Sequence, residues 1–263
     1  MKALLLIALS MVLVGSDCDP PEPPPDDSYC SGAEPGALES LVDGIGGVWN
    51  TIIGGEISTD RRSTVQVRFG QSYCSGVIIA PRTVLTAAHC GWGVTTKHTI
   101  RFQHEGGIVE FASNEHLYHP DYQTWIDSND LNGRQSDIML LFVTANLPSP
   151  YAGTLYRSDD TGDCEALTAQ GWGLDEFPNE PATLRESDYM VTEELAKVIR
   201  TKQATWGGIC FGDSGGPLYA TVLGTPQVAG ITSTTMSQDC LIGSTHVKVS
   251  APVHKTWIED NVR

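Results

Sequence analysis

The chain has 263 residues, an apolar fraction of 40% and a formal charge of -16 at neutral pH. That length holds one large domain or two small ones. The charge argues against a nucleic-acid partner, because phosphates repel so acidic a surface, and the plentiful glycine and scarcity of helical spacing favour short strands and turns over a helical bundle.

At the N-terminus, Lys2 precedes an apolar run at residues 3–14, with small residues at Gly15 and Ser16. This pattern predicts a secretory signal peptide over residues 1–16. The run is too short to span a bilayer, so no transmembrane segment is expected there. A mature chain starting near Asp17 would leave the cytoplasm for a compartment where disulfides persist. The alternative is lipid attachment at Cys18. Residues 17–51 read as a Pro-rich acidic linker or pro-segment, since "DPPEPPPDD" suits neither a helix nor a central strand. At its end stands "NTIIGGE", residues 50–56, either a strand entering a turn or a terminus waiting to be cut free.

From Ile52 onward, short β-rich runs alternate with turn residues: "STVQVRF", "SGVIIA", "TVLTAA", "HTIRFQ", "IVEFAS", "DIMLLFV", "PQVAGITST" and "HVKVSA". Such spacing predicts an all-β sandwich or barrel. Residues 254–261 are expected to form a short closing helix.

Three stretches carry chemistry. In "VLTAAHCG", His89 is followed at once by Cys90, with Cys74 upstream. A Cys74–Cys90 bridge would close a loop of about 15 residues, worth roughly 3 kcal/mol, and would clamp the histidine. In "QSDIMLLFV", Asp137 enters a strongly apolar strand. A carboxylate there is costly unless a partner takes its hydrogen bonds. It is either a strand-edge residue facing solvent or the acceptor that orients an imidazole. In "CFGDSGGPL", Ser214 sits in a glycine-rich turn. A serine hydroxyl needs a neighbouring base to act as a nucleophile, and glycines allow backbone amides to converge on a developing oxyanion.

The order His89, Asp137, Ser214, within "TAAHC", "SDIMLL" and "GDSGGP", resembles the chymotrypsin/trypsin family of serine endopeptidases. "HPDY", "GWG", "GITS" and "TWI" add to the likeness, which runs from Ile52 to the C-terminus. The resemblance implies two packed six-stranded antiparallel β-barrels, about 52–150 and 151–263, with the active site between them. It implies that Ser214 attacks the scissile carbonyl, His89 relays the proton, and Asp137 orients His89. Ser233 would hydrogen-bond Asp137, and the N–H groups of Gly212 and Ser214 would form the oxyanion hole. "IIGG" resembles the terminus that family members gain when their zymogens are cut. Ile52 would then meet Asp213, so cleavage between Thr51 and Ile52 is expected, by an activating protease or by the enzyme itself.

The specificity pocket departs from trypsin-like members. Gly208 stands six residues before Ser214, where those carry an aspartate. Ile209 would make the floor apolar, while Ser233, Thr234, Thr235 and Ser244 would narrow the walls. Cleavage after small or apolar residues is therefore expected, in proteins or peptides. Cys210 and Cys240 match the family bridge that braces the pocket. Cys18, Cys30 and Cys164 are left over, open to a Cys30–Cys164 tether or a Cys18–Cys30 pair with Cys164 free. No metal or cofactor is expected, as the seven histidines form no close ligand pair, and a monomer is anticipated. The alternative is a catalytically inactive homologue that serves as a binding or adhesion module.

Overall fold

The computed structural model describes residues 52, 55–59, 63–70, 72–91, 93, 97–104, 107–128, 133–147, 155, 167–173, 183–204, 208–222, 224–237, 240 and 242–263. All lie in the unit Val48–Arg263. The expected signal peptide and pro-segment, with Cys18 and Cys30, and also Cys164, fall outside the described residues.

The first barrel closes in the order β2 (Thr64–Phe69), β3 (Ser72–Ala80), β4 (Thr83–Thr86), β7 (Met139–Val143), β6 (Gly107–Tyr118), β5 (His98–His104). The second runs β8 (Leu167–Gly171), β9 (Arg185–Glu194), β10 (Val198–Gln203), β13 (Ser244–Lys248), β12 (Thr225–Thr235), β11 (Pro217–Val222), and β11 returns to β8. A short strand, β1 (Glu56–Ile57), adds to β9. All the pairings between these strands are antiparallel. The expected architecture of two six-stranded barrels is therefore the one observed.

Side-chain period explains how the barrels meet. Every residue of β7 is buried. Met139, Leu141 and Val143 point into the first barrel's core with Val65, Val67 and Ile100. The alternate residues Leu140 and Phe142 join Val77, Leu85, Tyr219, Val228 and Ile231 in a separate cluster. That cluster draws on strands of both barrels, so it is the seam between them. A strand buried on both faces loses the polar alternation of a half-exposed one, hence the unbroken run "MLLFV". The second barrel has its own core around Leu167, Tyr189, Ile199 and Leu218.

Polar groups cross the seam too. Thr64 Oγ1 donates to Gln170 Oε1 at 2.7 Å, and the Trp172 indole N–H donates to the Thr64 carbonyl at 3.2 Å. Two helices complete the described chain: α1 (Pro120–Ser128) and α2 (Pro252–Asn261). The closing helix starts two residues before the expected boundary, because Pro252 at its first turn needs no N–H partner. Among the described residues no helix is long and apolar enough to cross a membrane.

Candidate active site

His89 lies on a 3-10 turn, Ala88–Cys90, just past β4. Ala88 and Cys90 are buried, so the imidazole is the part of the turn that reaches the surface. The Cys74–Cys90 disulfide ties this turn to β3. Asp137 precedes β7, and its side chain is 4% exposed against 35% for His89. Its Oδ1 accepts the His89 backbone N–H at 2.8 Å. Its Oδ2 lies 2.7 Å from His89 Nδ1 and accepts the Ser233 hydroxyl at 2.6 Å. Three donors thus compensate a carboxylate that would otherwise be costly to bury. Facing a carboxylate, Nδ1 carries the ring proton, which leaves Nε2 free to accept one. Burial pulls the His89 pKa down, but the hydrogen bond and charge of Asp137 outweigh burial and the nearby Arg134, so it lies above its ordinary value. The solvent-facing reading of Asp137 is thereby excluded.

Ser214 sits in the turn before β11, and each peptide around it is pinned. The Gly212 carbonyl accepts the Ser75 hydroxyl at 3.0 Å, and Ser75 Oγ in turn accepts the Trp172 N–H at 2.8 Å. The Asp213 N–H donates to the Cys210 carbonyl at 3.2 Å, while the Asp213 carbonyl accepts the Gly216 N–H at 2.9 Å. In a trans peptide the N–H points opposite the carbonyl, so the Ser214 N–H is turned away from Gly216. The Ser214 carbonyl accepts the Ser75 N–H at 2.8 Å, and the Gly215 N–H donates to Thr232 at 2.7 Å. Gly212 holds φ of 93°, in the left-handed half of the map that a side chain disfavours.

Asp213 is 1% exposed. Its Oδ1 accepts the Gly173 N–H at 2.9 Å, and its Oδ2 accepts the Cys210 N–H at 3.0 Å and the Ile52 N–H at 3.3 Å. Burial pushes its pKa up to about 6 despite these donors. Ile52 is fully buried and holds φ of 29° in the continuous chain, a region that β-branched residues avoid. Ile52 is therefore not in strand conformation, and among the described residues β1 begins at Glu56.

Around the expected pocket, outcomes differ. A Cβ at Gly208 would lie 1.8 Å from the Cys240 carbonyl oxygen. That oxygen also accepts the Gln203 amide N–H at 3.1 Å, and the Cys210–Cys240 disulfide holds the two segments together. Ile209, expected as an apolar floor, is instead 2% exposed and belongs to the second barrel's core with Leu167 and Tyr189. The Tyr189 hydroxyl, which accepts the Ile209 N–H at 2.6 Å, fixes it there. The wall residues do not act alike. Ser233 is engaged by Asp137, Thr234 is exposed, Thr235 Oγ1 donates to the Ser237 carbonyl at 3.0 Å, and Ser244 is buried. A register shift between Thr232 and Thr234 breaks their alternation. Ser75, Gln203 and Tyr189 were missed in the sequence. Nothing local signals their contacts, which reach partners 97, 37 and 20 positions away, respectively.

Among the described residues, one cluster has metal-ligand spacing, Cys74, His89 and Cys90, and its two sulfurs are bonded to each other. The family model described as Trypsin matches residues 52–258. The chain belongs to the trypsin family.

Its relatives include Achelase-1 of Lonomia achelous, 32% identical over 64% of this chain and 91% of that protein. Brachyurin of Leptuca pugilator is 29% identical over 71% of this chain and 86% of its own. Chymotrypsin-like elastase family member 1 of Bos taurus is 25% identical over 76% and 83%, respectively. With the fold, these make this trypsin-family protein a chymotrypsin-like serine endopeptidase, whose substrates are proteins.

Proposed function

We propose that this endopeptidase cleaves peptide bonds through an acyl-enzyme on Ser214, with His89 as base and then acid. The observation that carries the reading is the Asp137 carboxylate, held by His89 and Ser233, while Thr232, the neighbour of Ser233, accepts the N–H of Gly215, the neighbour of Ser214. Asp137 keeps the His89 proton on Nδ1 and stabilises the cation that forms when Nε2 takes the serine proton. The N–H groups of Gly212 and Ser214 bind the oxyanion, and loss of such a donor typically costs about 10²- to 10³-fold in rate. Ser214→Ala is expected to abolish hydrolysis and fluorophosphonate labelling together. A wild-type protein that never labels at Ser214 would instead be the inactive binding module.

We further propose that the protein is exported by residues 1–16 and activated by cleavage between Thr51 and Ile52. Asp213, buried and accepting the Ile52 N–H, supports this reading: a free ammonium at Ile52 would supply the charge that burial denies it. Breaking such a pair costs about 3–5 kcal/mol, enough to control the turn that carries Gly212 and Ser214. The cleavage preference is for small or apolar residues. The Cys240 carbonyl packed on Gly208 supports it, since it leaves no place for an acid that would greet Arg or Lys. Profiling on a random peptide library tests this, and a preference for basic residues would overturn it.

A further inference from the structure

The backbone bearing Asp137 is gripped from behind. Ser136, Asp137 and Ile138 form a three-residue turn, closed by the Ile138 N–H on the Ser136 carbonyl at 2.7 Å. Ser136 is fully buried, and its Oγ lies 3.0 Å from Nε2 of the equally buried His254 on α2. His254 Nδ1 lies 2.7 Å from the Lys248 carbonyl. A carbonyl only accepts, so Nδ1 carries the proton and neutral His254 offers a lone pair at Nε2. The Ser136 hydroxyl must then donate to it. Asp121 Oδ2 is a more distant acceptor at 3.4 Å, and Lys197 Nζ already donates to it at 2.7 Å. On the other flank, the His119 N–H donates to the Ile138 carbonyl at 3.1 Å, and the His119 ring meets His254 and Trp257 edge-on at 5.1 and 5.0 Å.

We propose that His254 is a positioning residue: acting through Ser136, it holds the turn that sets the Asp137 carboxylate against His89. The proposal rests on the triad reading above. Asp137 makes three bonds of 2.6–2.8 Å, so a small rotation of its turn breaks at least one. Displacements of about 1 Å behind a reacting group can cost about 10²-fold. His254 is itself faced by His119, Asp121 and Lys197, and His89 by Asp137 and Arg134.

The test measures kcat per active site, titrated with a fluorophosphonate, and the pH profile of kcat/KM. Ser136→Ala and His254→Asn, which keeps a donor for Lys248 but is too short for Ser136, should each lower kcat roughly tenfold with KM little changed. The acid limb, which reports His89, should move to lower pH as Asp137 support weakens. His254→Gln, which keeps an acceptor for Ser136, should recover most of the loss. The double variant Ser136→Ala/His254→Asn should be no worse than either single one, as for residues acting in one chain. If Ser136→Ala lowers Tm but leaves kcat and the acid limb unchanged, the role is structural and the proposal is overturned. Ser136→Ala removes only a hydroxyl, so it decides the question even if the His254 variants fail to accumulate. If Ser214→Ala keeps full activity, the triad reading itself has failed.

Discussion

At Gly208, one hydrogen atom separates a working backbone from a collision. The Cys240 carbonyl oxygen occupies the space a side chain would need, and Gln203 holds it there. Gly208→Asp is therefore expected to displace the disulfide-braced segment rather than create a basic-residue pocket. Its Tm should fall, and cleavage after Arg or Lys should stay undetectable; efficient Arg cleavage would refute this account of the pocket. Residues whose role lies in their own chemistry were legible at this scale. His89, Asp137 and Ser214 stood in recognisable surroundings, and the structure brings His89 and Asp137 together. Residues whose role lies in reach were not. Ile209 read as a pocket floor because apolar character alone cannot tell a cavity wall from a core. Ser75 and His254 gave no sign, since their partners lie 97 and 118 positions away.

The strands show the same division. "DIMLLFV" and "PQVAGITST" announced β7 and β12 because β-branched and apolar residues crowd strands buried on both faces. β9 carries "RESDYMVTEE", in which only Ser187 and Tyr189 are buried, so its polar texture hid it. Helix α1 begins inside "HPDY", at Pro120, and its nine residues carry apolar side chains only at Tyr122, Trp125 and Ile126, too short a pattern to announce a helix. The two faces of β7 make a prediction. Leu140→Ala opens the seam between the barrels, and Leu141→Ala opens the first barrel's core. Each should cost about 2–5 kcal/mol. Leu140→Ala alone should also lower kcat, because the Asp137–Ser233 bond spans the two barrels that the seam holds in register. Equal kcat losses, measured per titrated site on folded enzyme, would remove that distinction.

Across the whole molecule, buried titratable groups set the response to pH. Burial lowers the pKa of His98 to about 4, with the charge of His116 assisting, of His246 to about 3 and of His254 to about 4. These rings are neutral when folded and charged when unfolded below their ordinary value of 6.5. Their stabilising contribution is complete above that pH and is lost as pH falls towards about 4. Tryptophan fluorescence should report acid unfolding in that window, and a Tm constant from pH 7 to 4 would contradict it. Asp213 has the opposite sign in the uncut chain. Its raised pKa means that ionisation costs stability as pH climbs from 3.8 to about 6, on the order of 3 kcal/mol. A Ser214→Ala chain, cut at an enteropeptidase site placed before Ile52, should therefore gain Tm over its uncut form at pH 7.5. The gap should narrow as pH falls below about 6, where Asp213 of the uncut chain regains its proton.

The torsion of 29° at Ile52 has a consequence of its own. A φ angle is defined by the carbonyl carbon of the preceding residue, so hydrolysis after Thr51 does not relax this torsion but abolishes it. Holding a branched side chain there costs on the order of 1–3 kcal/mol, and resealing the bond would reinstate that cost along with the loss of an ammonium. On the proposed cleavage after Thr51, maturation would work as a ratchet, and the processed enzyme should not splice its leader back even when the released peptide is abundant.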